Sequence, residues 1–292
     1  MLRMKTWMKP AAAAAILAAI PGCLAAQWPS YRSAGAPRTA DGKVNLEAPA
    51  PRTADGKPDL SGIWEFRNTP GVEGAAAQVT EPPPDAGTGL GPNQRFNPRL
   101  SQFFNIGTTV KGGLPFLPLA AELRQRRAAE NNKDNPDAHC LPLGLMQLHT
   151  HPQPRKIIQN PALIVILYEA QAGIRQIFTD GRSLPKADAQ PWWYGYSVGH
   201  WDGDTLVVET NGFRDDVWLD VEGSPLTNTG KMTERFRRVN YGNLDIDVTV
   251  EDPKVYTKPW TVKIKQRLLP DAELIEFICN ENDRSGPHLV GK

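Results

Sequence analysis

Polar and apolar residues change their period near residue 156. Beyond it, Leu244, Ile246, Val248 and Val250 take turns with Asp245, Asp247, Thr249 and Glu251, the pattern of a strand with one face in a core and the other in water. Strands are predicted over 157–158, 163–168, 174–178, 193–201, 204–211, 232–239, 244–250, 261–268 and 274–279. Turn formers separate them: Asn160-Pro161, Gln171-Ala172-Gly173, Asp180-Gly181, Asp202-Gly203, Tyr241-Gly242-Asn243 and Pro270-Asp271. Short strands joined by tight turns pair antiparallel, and a set this large closes as a meander barrel or packs as a two-layer β-sandwich. The predicted fold class is therefore mostly β.

The run from Tyr194 to Asn211 reads as a hairpin turning at Asp202-Gly203, because an Asp-Gly pair between alternating runs tolerates the positive φ that a tight hairpin needs. Counting outward from that turn pairs His200 with Thr205, Val198 with Val207, Tyr196 with Glu209 and Tyr194 with Asn211. One face then carries Tyr194, Tyr196, His200, Glu209 and Asn211. The other carries Trp193, Gly195, Ser197, Gly199, Trp201, Leu206, Val208 and Thr210.

The first half lacks this regularity. Residues 27–58 form a linker in which the octapeptide APRTADGK occurs twice, at 36–43 and 50–57, with no apolar period that would pack. Strand character begins in Pro58–Phe66. A single β-rich domain is predicted over 59–284, interrupted by a loop and helix insertion at about 67–155 and followed by a tail at 285–292. Pro82-Pro83-Pro84 excludes regular hydrogen bonding there, and one helix is expected from about Pro118 to Asn131.

The N-terminus carries a targeting pattern. Arg3, Lys5 and Lys9 precede the apolar stretch Ala11–Ile20 and the small-residue exit Cys23-Leu24-Ala25-Ala26, which together read as a signal peptide over 1–26, too short to span a membrane. Cleavage after Ala25 or Ala26 gives a periplasmic or secreted protein. Ile20-Pro21-Gly22-Cys23 is an imperfect lipobox, so a lipid anchor at Cys23 is the alternative. No later run is apolar enough for a transmembrane helix. Without its first 26 residues the chain keeps 30 of its 33 Lys and Arg against 32 Asp and Glu, a balance that does not suit a nucleic-acid partner. Two cysteines remain, Cys140 and Cys279. In an exported chain, outside any metal-ligand spacing, they are expected to form a disulfide.

Several motifs carry possible chemistry. Gly195-Tyr196-Ser197-Val198-Gly199 matches the G-x-S-x-G nucleophile elbow in letters, but that elbow leads into a helix and this segment leads into a strand. The two glycines fit better as space for Trp193, Trp201 or a ligand. His149-Thr150-His151, with His139 nearby, offers imidazoles without a carboxylate or thiol at ligand spacing, so no metal site is expected. No phosphate-binding glycine loop or dinucleotide fingerprint follows a strand, and no cofactor is expected.

Gly62-Ile63-Trp64, ahead of a β-meander, resembles the Gly-x-Trp signature that opens lipocalin and related calycin barrels, where the tryptophan closes the barrel base. Residues 134–283 are similar to a large group of secreted bacterial proteins of unknown activity. The shared features are PDAHCLP (136–142), Tyr168-Glu169, Arg175-Gln176-Ile177, Asp180-Gly181-Arg182, SVGHWDGDTLVVETNGF (197–213), Trp218-Leu219-Asp220, ERFRR (234–238), Asp252-Pro253-Lys254, Lys258-Pro259-Trp260 and Cys279-Asn280-Glu281-Asn282. That resemblance implies export and a shared fold, and it transfers no activity.

Two function classes follow. The first is an exported binding protein holding a small apolar or aromatic compound in a lipocalin-like barrel. The second is a cofactor-independent acid–base hydrolase, lyase or isomerase acting on the same kind of compound. For the second, Glu209 is the candidate general base, with His200 and Tyr196 beside it and Arg175 or Arg182 stabilising negative charge. Tyr194, Tyr196, Trp193, Trp201, Arg175 and Asn211 are the candidate ligand contacts, on a stretch dense in rings suited to stacking.

Overall fold

Nine strands close on themselves in the computed structural model, which describes residues 32–67, 110–186 and 189–279. The signal segment with Cys23, the Pro82-Pro83-Pro84 stretch and the 285–292 tail lie outside the described residues. In chain order the strands are β1 (Gly62–Arg67), β2 (Arg155–Gln159), β3 (Leu163–Tyr168), β4 (Ile174–Phe178), β5 (Tyr196–Asp202), β6 (Thr205–Asn211), β7 (Val217–Trp218), β8 (Pro225–Leu226), β9 (Lys231–Arg238), β10 (Asn243–Glu251) and β11 (Trp260–Leu268). The barrel runs β1-β11-β10-β9-β6-β5-β4-β3-β2 and back to β1, while β7 and β8 form a separate ribbon. The fold is thus the closed barrel rather than the sandwich.

The barrel is mixed rather than wholly antiparallel. Ile177 and Phe178 of β4 pair with Ser197 and Val198 of β5 in parallel. The connection between them, residues 179–195, is long enough for the crossover that parallel neighbours require. Residues 274–279, expected as a strand, follow β11 without joining the sheet.

The period-two reading holds around the wall. Val248 and Ile246 of β10 are fully buried opposite Val262 and Ile264 of β11. Outward positions between them carry the ion pairs Arg237–Asp245 (3.0 Å) and Lys263–Asp247 (3.4 Å). A wall with apolar residues inside and charges outside faces water, the reverse of a lipid-facing barrel. Among the described residues no helix is long and apolar enough to cross a membrane.

One end of the barrel is closed by Trp64, which is wholly buried and donates its indole N–H to the Leu60 carbonyl at 2.9 Å. The Arg238 guanidinium lies 4.9 Å above its ring and donates to the carbonyls of Asp59, Ser61 and Tyr241.

The segment expected to be a linker lies against the barrel as two copies of one turn. In the first, Thr39 and Gly42 close the backbone and Arg38 donates to the Gly42 carbonyl at 3.0 Å. In the second, Thr53, Gly56 and Arg52 repeat this, with 2.7 Å to the Gly56 carbonyl. Each arginine then reaches an aspartate: Arg38 holds Asp271 after β11, and Arg52 holds Asp204 in the β5–β6 turn.

Among the described residues two α-helices sit before β2. Helix α1 spans Pro118–Ala129, close to the expected 118–131, and starts with Pro118, whose missing N–H costs nothing in the first turn. Helix α2, Leu145–Thr150, was not foreseen; all six of its residues are buried. It packs on the β7–β8 ribbon, where Gln147 donates to the Trp218 carbonyl at 2.9 Å. The C-terminal end of α2 reaches Arg155, the ladder partner of Trp64. The Cys140–Cys279 disulfide, with Cα atoms 5.6 Å apart, ties the segment leading to α2 to the C-terminal stretch 139 residues later.

Candidate functional site

The β5–β6 hairpin turns one residue later than its Asp-Gly pair suggests. Asp202 pairs with Thr205, leaving Gly203 and Asp204 as the two loop residues, and only Gly203 takes a positive φ, +59°. This is the glycine-first pattern of a type II′ turn rather than the type I′ pattern of Asp-Gly. Tyr196 therefore faces Asn211, Val198 faces Glu209 and His200 faces Val207. Moving the turn along by one residue shifts both strands together, so partners change while each side chain keeps its face.

That face points outward. His200 and Glu209 are exposed on the outer wall. Tyr196 stacks on Phe178, ring centroids 5.2 Å apart, and its hydroxyl accepts from Arg182 at 3.0 Å. Asn211 donates to the Pro185 carbonyl at 3.1 Å. Tyr196, His200 and Glu209 thus share the outside of the sheet and are not brought together in the lumen. Trp193 is half-buried under the Arg214 guanidinium, 4.5 Å away. Trp201 faces inward, and Tyr194 approaches Tyr168 at the α2 end of the barrel. Glycines 195 and 199 do not hold open space: a Cβ on Gly195 would lie 2.6 Å from Thr210 Cγ2, and one on Gly199 would lie 3.0 Å from Ile177 Cγ2.

Arg175 is the expected site residue that does enter the lumen, and it is the centre of a buried polar cluster. Its Nη1 donates to Glu234 Oε1 at 3.0 Å, its Nη2 to Glu234 Oε2, and its Nε to Ser197 Oγ at 3.1 Å. Thr210 completes the group, accepting from Arg175 Nη2 at 3.1 Å and sharing a 2.9 Å hydrogen bond with Ser197. Ser197 is thus committed to the guanidinium, an arrangement that provides no base for a serine nucleophile.

The second partner of Glu234 comes from α2. His149 Nε2 lies 2.6 Å from Glu234 Oε1, with both side chains all but inaccessible. A carboxylate at Nε2 fixes the proton there and leaves Nδ1 as a lone-pair acceptor. Burial pushes the His149 pKa down, Glu234 opposes this, and Arg175 and Arg155 add to it, so the ring is neutral. Burial also works against ionisation of Glu234, but Arg175 and His149 outweigh it and hold that carboxyl at about 2.

Arg155 fixes the position of α2. It donates to the carbonyls of His149 (2.7 Å), His151 (2.9 Å) and Gln153 (3.0 Å), supplying partners to the exposed C-terminal carbonyls of a short helix. Gln266 donates to the same His149 carbonyl at 3.5 Å. Three atoms around this hub, Arg155 Nε, His149 Nδ1 and Gln266 Oε1, are buried without a hydrogen-bond partner, and the Tyr168 hydroxyl, beside the Arg175 guanidinium, has no acceptor for its proton.

The imidazoles weighed as metal ligands have other partners: His139 Nε2 bonds the Lys133 carbonyl at 2.7 Å, and His149 bonds Glu234. Among the described residues no group of three or more His, Cys, Asp or Glu is placed to hold a metal ion.

Sequence reasoning missed Glu234, Tyr168, Arg155 and Gln266, and weighed His149 only as a metal ligand. The signal for Glu234 was present. It falls at the parity of Met232 and Phe236, one acid in an inward-facing row. No family profile, curated protein or solved structure matches this chain.

Proposed function

We propose that the protein is exported to the periplasm or beyond and binds a small compound with an apolar or aromatic body on the inner side of its barrel. The observation that carries this reading is the set of unpartnered polar atoms around Arg155 and His149, enclosed by aliphatic walls such as Ile166, Ile177 and Val208. Buried polar atoms nearly always have partners, and small-molecule sites combine apolar walls with a few polar groups of this kind. The disulfide agrees with an oxidising compartment. Titration with 1-naphthol, followed by tryptophan fluorescence, tests the location. Val208→Leu, which adds one methylene to the lumen, is expected to weaken binding, and His200→Ala on the outer wall is expected to leave it unchanged. The opposite ranking removes the lumen as the site.

The pairing of His149 with Glu234 favours a second reading, an acid–base enzyme acting on a compound of the same kind. A histidine held in one tautomer by a carboxylate, with Nδ1 unpartnered, is arranged as a general base. His149→Gln separates the two. A binding protein keeps most of its affinity for its compound, whereas an enzyme loses turnover by about a hundredfold or more while still binding.

A further inference from the structure

The inward positions of the barrel strands carry Arg155, Arg175 and Arg238 against a single carboxylate, Glu234. Glu234 serves Arg175. Arg238 lies at the base, over Trp64 and among backbone carbonyls. Arg155 is 1% exposed and has only carbonyl dipoles for company, all of them met by its two terminal nitrogens. Its Nε–H is left over. Directly across the β2–β3 ladder, Tyr168 is 3% exposed, and its hydroxyl, beside Arg175, has no acceptor for its own O–H. Two donors facing each other across one ladder rung, on a buried cation that no carboxylate touches, are complementary to an anion.

We infer that the lumen receives an acidic group of its ligand, a carboxylate on an apolar or aromatic body, on the unpartnered donors of Arg155 and Tyr168. This rests on the binding reading above and adds the chemistry of the recognised group. Arg175, beside the Tyr168 hydroxyl, is also held by Glu234, Ser197 and Thr210, so removing that hydroxyl leaves its guanidinium partnered. A residue whose truncation spares stability and reduces affinity is serving the ligand.

The experiment uses the full-length protein with four acid and amide pairs: benzoate with benzamide, phenylacetate with phenylacetamide, 1-naphthylacetate with 1-naphthylacetamide, and decanoate with decanamide. Binding is read by calorimetry. At least one acid is expected to bind tenfold or more tightly than its amide. Tyr168→Phe is expected to reduce the acid's affinity at least fivefold, leave the amide's unchanged and not lower the melting temperature. Arg155→Lys, which keeps the charge but removes the Nε–H and the planar fork, is expected to reduce the same preference. Acids and amides that bind equally overturn the inference while the binding reading stands. A preference for acids that survives both substitutions also overturns it, by placing the acid elsewhere. No binding by any pair at 1 mM overturns both.

Discussion

His149 and Glu234 meet at 2.6 Å inside the barrel although 85 residues separate them in the chain. One comes from a six-residue helix inserted through the barrel end and the other from the middle of β9. With Arg175 bridging both oxygens of the carboxylate, the three tie the inserted helix, β4 and β9 into one electrostatic unit.

Removing one partner from such a unit leaves a buried charge uncompensated. Arg175→Met is expected to destabilise the protein by about 3–5 kcal/mol. The double substitution Arg175→Met with Glu234→Leu should recover a large part of that loss, because no stranded carboxylate remains. Urea denaturation of both single variants and the double variant measures the coupling. A loss under about 1 kcal/mol for Arg175→Met would show that the pair does not hold the lumen together.

Acidification acts first through histidine. Burial, with Arg155 nearby, depresses the His151 pKa to about 4 from an ordinary 6.5, and burial depresses His149 as well. Between those values the unfolded chain takes up protons that the folded chain refuses, so stability is full above pH 6.5 and falls as pH drops toward 4. At pH 5 the loss from His151 alone is about 2 kcal/mol. Glu234 adds a second decline as pH falls from the ordinary carboxylate range toward 2. Denaturation midpoints at pH 7 and pH 5 should differ in the wild type and differ less in His151→Asn.

Two glycines separate backbone strain from steric clash. Both Gly203 and Gly195 have positive φ, +59° and +67°. A Cβ on Gly203 meets nothing within 4 Å, whereas one on Gly195 would lie 2.8 Å from both the Asn211 carbonyl and the Phe213 ring. Gly203→Ala is expected to cost about 1–2 kcal/mol of strain. Gly195→Ala should cost at least twice as much, since backbone and ring must both move. Equal melting temperatures for the two variants would contradict this.

The Arg52–Asp204 contact is exposed, so Arg52→Ala should leave the thermal midpoint nearly unchanged. Its effect should appear locally, as faster endoproteinase Asp-N cleavage before Asp55 in the released turn. A cleavage rate equal to the wild type would show that the arginine does not hold the turn in place.

The barrel was legible because a wall wetted on one side writes its period into each strand, as Leu244 to Glu251 do. The site was less legible for two reasons. Density of polar and aromatic groups drew attention to Tyr196, His200 and Glu209, yet a sheet carries its charges on the wet face, and the informative positions are the isolated polar residues among inward apolar ones. Glu234 between Met232 and Phe236, and Gln266 between Ile264 and Leu268, are of that kind. Helix α2 had no periodic signature, since a six-residue helix buried on every side shows no polar stripe. That Arg155 caps it depends on a chain reversal no local pattern records.

The duplicated octapeptide shows what can be copied within a protein. The bonds that shape the turn link residues eight or fewer apart, and the one that reaches past the octapeptide takes only a backbone N–H, so its form is inherited wherever the segment is pasted. The one thing a copy must find is an acid on a facing loop, as Asp271 and Asp204 provide. A single substitution on an exposed loop can therefore create a new mooring point, and the number of moorings can change without altering any strand of the barrel.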